Sequence, residues 1–204
     1  MLINNIELPA EGIIVVDVEG NGQTPPELVE LAIQPFPADS KDSSSIWLIK
    51  PSLPIMSRVV KIHGIDNPIV EKAPRWEDIQ EEVSKQLNGR WFVAHNARVD
   101  YDVIKRQLPQ WAPLGVIDTL RLARHVMPNA TSHSLSSLLE ITGILAGTPL
   151  QRHRAGDDAY ATALLFKHLL NLSKLNSWTE LCKVAMIKTE PAAETSAPEQ
   201  GNLW

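Results

Sequence analysis

Four β-branched residues in a row, Ile13-Ile14-Val15-Val16, run directly into Asp17-Val18-Glu19. This short apolar run predicts a buried strand that ends on acids. Gly20, Gly22, Pro25 and Pro26 then mark a tight, irregular turn. Leu28 to Gln34 predicts a second strand, and Pro35 to Ser45, rich in Pro, Asp and Ser, a hairpin loop. Ile46 to Lys50 predicts a third strand, closed by Pro51 and Pro54. Parallel neighbours need a crossover of roughly a dozen residues or more, so three strands this close together imply antiparallel pairing.

Beyond them the periodicity changes. Trp76, Ile79, Val83 and Leu87 recur at helical spacing, with Gly89 as the stop. Trp91 to Ala94 predicts a strand, Val99 to Leu108 a helix, Val116-Ile117 a brief strand and Thr119 to Val126 a helix. Further helices are expected over Ser134 to Ile141, before Gly143, over Ala155 to Leu172, and over Trp178 to Ile187. The expectation is an α/β fold: a mixed sheet with an antiparallel three-strand start and flanking helices. There is no internal repeat. From Lys188 the chain turns polar and rich in Pro, Ala and Glu. The expected organisation is therefore one domain over 1–187 and a disordered tail over 188–204.

Bulk properties narrow the function classes. With 204 residues and 44% hydrophobic content the chain can build one sizeable core. No apolar run reaches the roughly 18 residues that span a bilayer, and Met1 to Glu11 lacks a basic leader. Cys182 stands alone, which excludes an intrachain disulfide and fits a reducing compartment. These features point to the cytoplasm and to no membrane. The net charge of −5 lacks the basic excess usual for a duplex binder. An enzyme that grips a strand end through bound cations does not need that excess.

Three acidic elements carry the chemistry. Asp17 and Glu19 are two apart on a strand, so both project to one face and repel each other. A hard cation such as Mg²⁺ or Mn²⁺ relieves that repulsion with the oxygen ligands it prefers. The segment His95-Asn96-Ala97-Arg98-Val99-Asp100 follows a strand and puts Asp100 in the first turn of a helix. The helix dipole alone favours an acid there, and nearby Asp102 serves as the non-functional comparison. His153-Arg154-Ala155-Gly156-Asp157-Asp158 places a loop histidine just ahead of a helical acid. Two-metal sites divide labour in this way, with rigid carboxylates as ligands and one titratable group as base. Singly, each element has an ordinary explanation: solvent at a strand end, a dipole effect, a surface histidine.

Together, in this order, Asp-x-Glu, His-Asn-x-x-x-Asp and His-x-Ala-x-x-Asp-Ala resemble the DEDDh exonucleases. That family includes the epsilon proofreading subunit of bacterial replicase, exonuclease X and ribonuclease T. The resemblance covers roughly Ile13 to Leu172. It extends to Val60-Lys61-Ile62-His63-Gly64-Ile65, similar to the segment before the family's first helix, and to Ile117-Asp118-Thr119-Leu120 and Ser132-His133-Ser134-Leu135. It implies a ribonuclease-H-like fold and 3′→5′ hydrolysis of nucleic acid, releasing nucleoside 5′-monophosphates. Asp17, Glu19, Asp100 and Asp158 become ligands of two Mg²⁺ or Mn²⁺ ions, and His153 the general base. The family spacing selects Asp158 over Asp157.

Asn96, His63, Gly20, Asn21 and Arg98 are candidates for contacting the terminal nucleotide, with Arg154 also flanking the site. Two departures stand out. Gly20-Asn21-Gly22 replaces the family's Thr-Thr-Gly, removing hydroxyls near the sugar, and Val99 replaces a Phe. The implied partner is a nucleic-acid 3′ end, single-stranded, with DNA ahead of an RNA-trimming activity on the same site. A catalytically silent nucleic-acid- or clamp-binding module is the remaining alternative, although the complete acid set argues against it. The terminal Gln200-Gly201-Asn202-Leu203-Trp204 is similar to the peptides by which bacterial replication proteins bind the sliding clamp. A polar tether ending in Leu203 and Trp204, with Gln200 for orientation, has the chemistry to enter an apolar pocket.

Overall fold

The computed structural model describes residues 1–146 and 148–189. The expected tail and its terminal peptide lie outside the described residues, apart from Lys188 and Thr189. A small hairpin of β1 (Leu2–Ile3) and β2 (Ile6–Glu7) precedes β3 (Ile13–Gly20), β4 (Leu28–Phe36) and β5 (Ser45–Leu48). Then come α1 (Ser57–His63), α2 (Asn67–Val70), α3 (Trp76–Leu87), β6 (Trp91–Ala94), α4 (Arg98–Gln107) and β7 (Gly115–Asp118). The chain continues through α5 (Thr119–Val126), α6 (Leu135–Thr142), α7 (Ala155–Leu172), α8 (Trp178–Ala185) and β8 (Met186–Ile187).

Among the described residues, six strands form one sheet in the order β5-β4-β3-β6-β7-β8. The β3–β4 and β4–β5 pairs are antiparallel, as their spacing requires, while β3–β6 and β6–β7 are parallel. The fold is the expected mixed sheet with flanking helices. Pro35 sits inside β4, past the stretch Glu30–Ile33 that β5 covers, so a missing N–H is tolerated there.

Strand alternation sorts the core. Ile13 and Val15 of β3 pack with α5 to α8 on one face, and Ile14 and Val16 with α3 and α4 on the other. The same alternation aims Asp17 and Glu19 at the face that α7 covers. Sequence periodicity misses three features. Val60 to His63, expected to precede the first helix, belongs to helix α1, ended by Gly64 in the left-handed conformation. The last helix stops at Ala185, and Met186–Ile187 adds β8 antiparallel to β7. The N-terminal hairpin is the third. The tryptophans serve packing: Trp47, Trp76 and Trp111 are buried, and Trp91 meets Trp178 edge-on at 5.0 Å. Cys182 is free and half-buried. Among the described residues no helix is long and apolar enough to cross a membrane.

Gly115 opens β7 beneath the Trp91 ring, and a Cβ there would fall inside contact distance of that ring and close to the Met186 sulfur. Trp91 is wedged against Trp178 and cannot yield cheaply. Gly115→Ala should therefore lower unfolding free energy by about 1–3 kcal/mol, read by urea denaturation. A wild-type midpoint would show that the Trp91–Trp178 pair is free to shift.

Candidate active site

Asp17 and Glu19 leave the carboxyl end of β3, where the strand lies between antiparallel β4 and parallel β6. In open α/β sheets, such reversals of direction beyond strand ends are where ligands bind. Asp100 enters from the first turn of α4 and accepts the Val18 N–H at 3.1 Å, which ties that helix to the end of β3. Asp158 comes from the first turn of α7. Its Oδ2 accepts the His153 N–H at 2.9 Å, and Arg152 Nε lies 3.7 Å from Oδ1.

His153 is exposed and has φ +60°. A residue with a Cβ is held in that region at a cost of about 1–3 kcal/mol, so its surroundings must fix it there. One ligand atom each from Glu19, His153 and Asp158 fall within 4.8 Å of one another.

Electrostatics show how tightly the acids are held. Burial, then Asp100, Asp158, Glu19 and Glu30 in turn, push the Asp17 carboxyl well above its ordinary value. Burial followed by Asp158, Glu30 and Asp100 raises Glu19 to about 8, with Arg154 opposing. Burial raises Asp100 to about 8 against the stabilising backbone N–H groups. Asp158 is also raised, by burial first. Hard-cation oxygen donors that resist ionisation until a counter-charge arrives fit a divalent metal site.

The other expected residues are placed as follows. Asp157 is turned from the cluster: it pairs with Lys41 and accepts the Gln151 N–H, consistent with Asp158 as the site member. Asp102 pairs with Arg98 along α4 at 3.5 Å. Arg98 also bonds the Lys188 carbonyl and lies over the Tyr101 ring, so the structure does not bring it to the acids. Asn96 is exposed at φ +62°, its N–H held by Asp118 at 2.9 Å.

Gly20 forms the bulged end of β3. His63 is buried; its Nδ1 accepts from Ile65 N–H, which leaves Nε2 to donate to Gly20 O at 3.3 Å. Burial lowers its pKa, which favours the neutral ring. Asn21 is fully buried, its Oδ1 accepting from the Gln23 and Glu27 N–H groups. His63 and Asn21 thus shape the wall of the site through hydrogen bonds of their own.

Sequence reading passed over Glu30. It stands opposite Glu19 in the β3–β4 register and is almost completely buried. The signal was available: an acid inside the apolar strand Leu-Val-Glu-Leu-Ala-Ile demands a partner. Arg154 is that partner rather than a solvated side chain, and its Nε lies 3.1 Å from both Glu30 oxygens.

An exonuclease family model, of the RNase T type, matches residues 14–166. The chain belongs to this family. It is 31% identical over 162 residues to the 3′-5′ exonuclease DinG of Staphylococcus saprophyticus, covering 77% of this chain and 18% of that protein. It is 31% identical over 170 residues to the PolC-type DNA polymerase III of Caldanaerobacter subterraneus, covering 80% and 12%. The chain thus spans under a fifth of the length of these curated relatives. The solved structure of exonuclease X in complex with 5′-overhanging duplex DNA superposes with a TM-score of 0.63 at 27% identity, covering 80% of this chain and 93% of that one. The chain carries an exonuclease domain with an acidic cluster fit for divalent metal.

Carboxyls at about 8 hold protons that the unfolded chain, near 4.5 for Glu19 and 3.8 for Asp100, has released. Between those values the folded state binds more protons, so stability is complete at low pH and falls as pH rises towards about 8. The melting temperature of metal-free protein should drop from about pH 5 to 8, and Asp17→Asn should raise it at pH 8. Mn²⁺ should restore stability more at pH 8 than at pH 5. A melting temperature independent of pH would contradict this electrostatic account.

Proposed function

We propose that this domain removes nucleoside 5′-monophosphates from DNA 3′ ends by hydrolysis, with Asp17, Glu19, Asp100 and Asp158 holding two Mg²⁺ or Mn²⁺ ions. His153 serves as the general base. The observation that carries the reading is the meeting of Glu19, His153 and Asp158 within 4.8 Å, from two separate elements, beside the perturbed pair Asp17 and Asp100. Bound divalent ions would supply charge neutralisation at the phosphate and Lewis-acid polarisation. The protein's own part is to place a proton acceptor. His153 takes the proton from the water that attacks phosphorus, the P–O3′ bond breaks, and the 3′-oxygen departs on the shortened strand. Asp158 holds the His153 backbone by accepting its main-chain N–H, so ligand and base share one anchor. DNA is favoured by what the relatives are: an exonuclease DinG, a DNA polymerase, and exonuclease X in complex with DNA.

Asp17→Ala or Asp158→Ala should abolish digestion of a 3′-labelled oligonucleotide, and excess EDTA should do the same to wild type. His153→Ala should cost about 10²–10⁴-fold in rate. Because the raised acids must lose protons to hold cations, the wild-type rate should climb towards about pH 8. Cleavage by Asp17→Ala at the wild-type rate, or in EDTA, removes the metal mechanism. Parallel digestion of single- and double-stranded DNA and RNA ranks the substrates, and faster RNA trimming would move the assignment to an exoribonuclease.

Residues 188–204 form, in the same proposal, a tether beyond the catalytic domain of 1–187, with Gln200, Leu203 and Trp204 docking on a sliding clamp. The support is the sequence alone: a polar segment closing on an apolar pair. Deleting residues 200–204 should leave digestion unchanged and abolish binding to purified clamp. Retained binding overturns the docking role.

A further inference from the structure

Glu30 is used by neither the metal set nor the base, yet it is the most enclosed acid near them, with a side chain 2% exposed. Its oxygens are fully engaged. Both accept from Arg154 Nε at 3.1 Å, Oε1 accepts also from the Arg154 terminal nitrogen, and Oε2 accepts the Ala155 N–H at 2.8 Å. Such a fork leaves no lone pair directed at a cation, which separates Glu30 from its cross-strand neighbour Glu19.

The two residues that Glu30 grips directly follow His153. On the other side of the same turn, Asp158 grips the His153 N–H. The histidine in the left-handed conformation is thus fixed from both flanks, once by Asp158 and once by β4. The rest of α7 does not need this clamp: Ala161, Leu165, Phe166, Leu169 and Leu170 are buried in the main core and hold the helix on the sheet.

We propose that Glu30, through Arg154 and the Ala155 N–H, is a positioning residue for His153: it holds the base over Glu19 and Asp158 in its strained conformation. The inference rests on the reading of His153 as base. A second consequence follows from charge. Arg154 pairs with the buried carboxylate directly opposite Glu19, so Glu30 does not enter the ligand cluster as an unpaired charge.

The test is a double-mutant cycle on the full chain, with oligonucleotide digestion followed under enzyme excess and under turnover. Glu30→Gln keeps the shape and loses the fork. It should lower kcat by about 10–100-fold while KM and Mn²⁺ affinity, measured by titration, stay within about threefold. On a His153→Ala background, Glu30→Gln should cause no further loss, because the group it positions is gone. Arg154→Lys, at a half-exposed position, keeps the charge without the fork; it provides the same readout if Glu30→Gln fails to fold.

Wild-type kcat in Glu30→Gln or Arg154→Lys overturns the proposal. So does a full multiplicative loss on the His153→Ala background, or a loss explained by weakened Mn²⁺ binding. His153→Ala at wild-type activity would instead sink the base assignment itself, and this inference with it.

Discussion

Carboxylates crowded at one strand end, out of contact with most of the solvent, repel one another, and the surrounding elements must hold them together against that repulsion. Burial raises the pKa of Asp17, Glu19, Asp100 and Asp158, with Glu19 and Asp100 reaching about 8, and neighbouring acids add to the rise at Asp17 and Glu19. Left to relax, such side chains would turn towards water and away from each other. They stay because the elements carrying them are fixed by packing unrelated to the site. Strand β3 is buried on both faces from Ile13 to Val16, and α7 lies across β3 and β4 through a nearly continuous apolar surface. The core supplies the rigidity, and the cluster stores the electrostatic strain that a cation relieves.

The same logic explains the hydrogen bonds around the acids. Asp100 is tied to the Val18 N–H, Asp158 to the His153 N–H, and Asp118 caps α5 while holding the Asn96 N–H. The Asp100 and Asp118 bonds join segments distant in sequence near the strand ends, while Asp158 ties α7 to the loop directly before it. His95 extends the pattern, bridging Thr119 and the His133 carbonyl at 2.9 and 3.0 Å. Burial lowers its pKa, which disfavours a charged ring.

Legibility in the sequence followed the range of the interaction. Strands and helices whose pattern is carried by their own side chains could be read directly: Thr119 to Val126 and Ala155 to Leu172 begin and end where periodicity places them. Met186–Ile187 could not, because two residues after a helix become a strand only by pairing with Val116 and Ile117, some seventy positions earlier. Helix α1 is mostly exposed and short, with little apolar pattern of its own, although Gly64 after His63 was a readable stop. The acids were legible through order and spacing because the chemistry fixes residue type. Glu30 was not, because its role lies in what it grips, and strand β4 says only that a buried acid needs a partner.

The segment Gly20-Asn21-Gly22 shows how a departure from the family pattern can be absorbed by the fold. Where hydroxyls stand in relatives, this chain closes a loop on itself. Asn21 gathers the Gln23 and Glu27 N–H groups, Gln23 reaches the Pro54 carbonyl, and Arg58 bonds the Gly22 carbonyl. Gly22 has φ +77°, and a Cβ there would press on both Val59 methyls at 3.0 and 3.1 Å, so the close approach to α1 requires glycine. The polar side chains of the segment are consumed in its own architecture. What it can present towards a nucleotide is therefore main chain, positioned beside Glu19 by the bulge at Gly20. The 2′-hydroxyl is both donor and acceptor, so within this segment only a main-chain N–H or C=O is left to tell one sugar from the other.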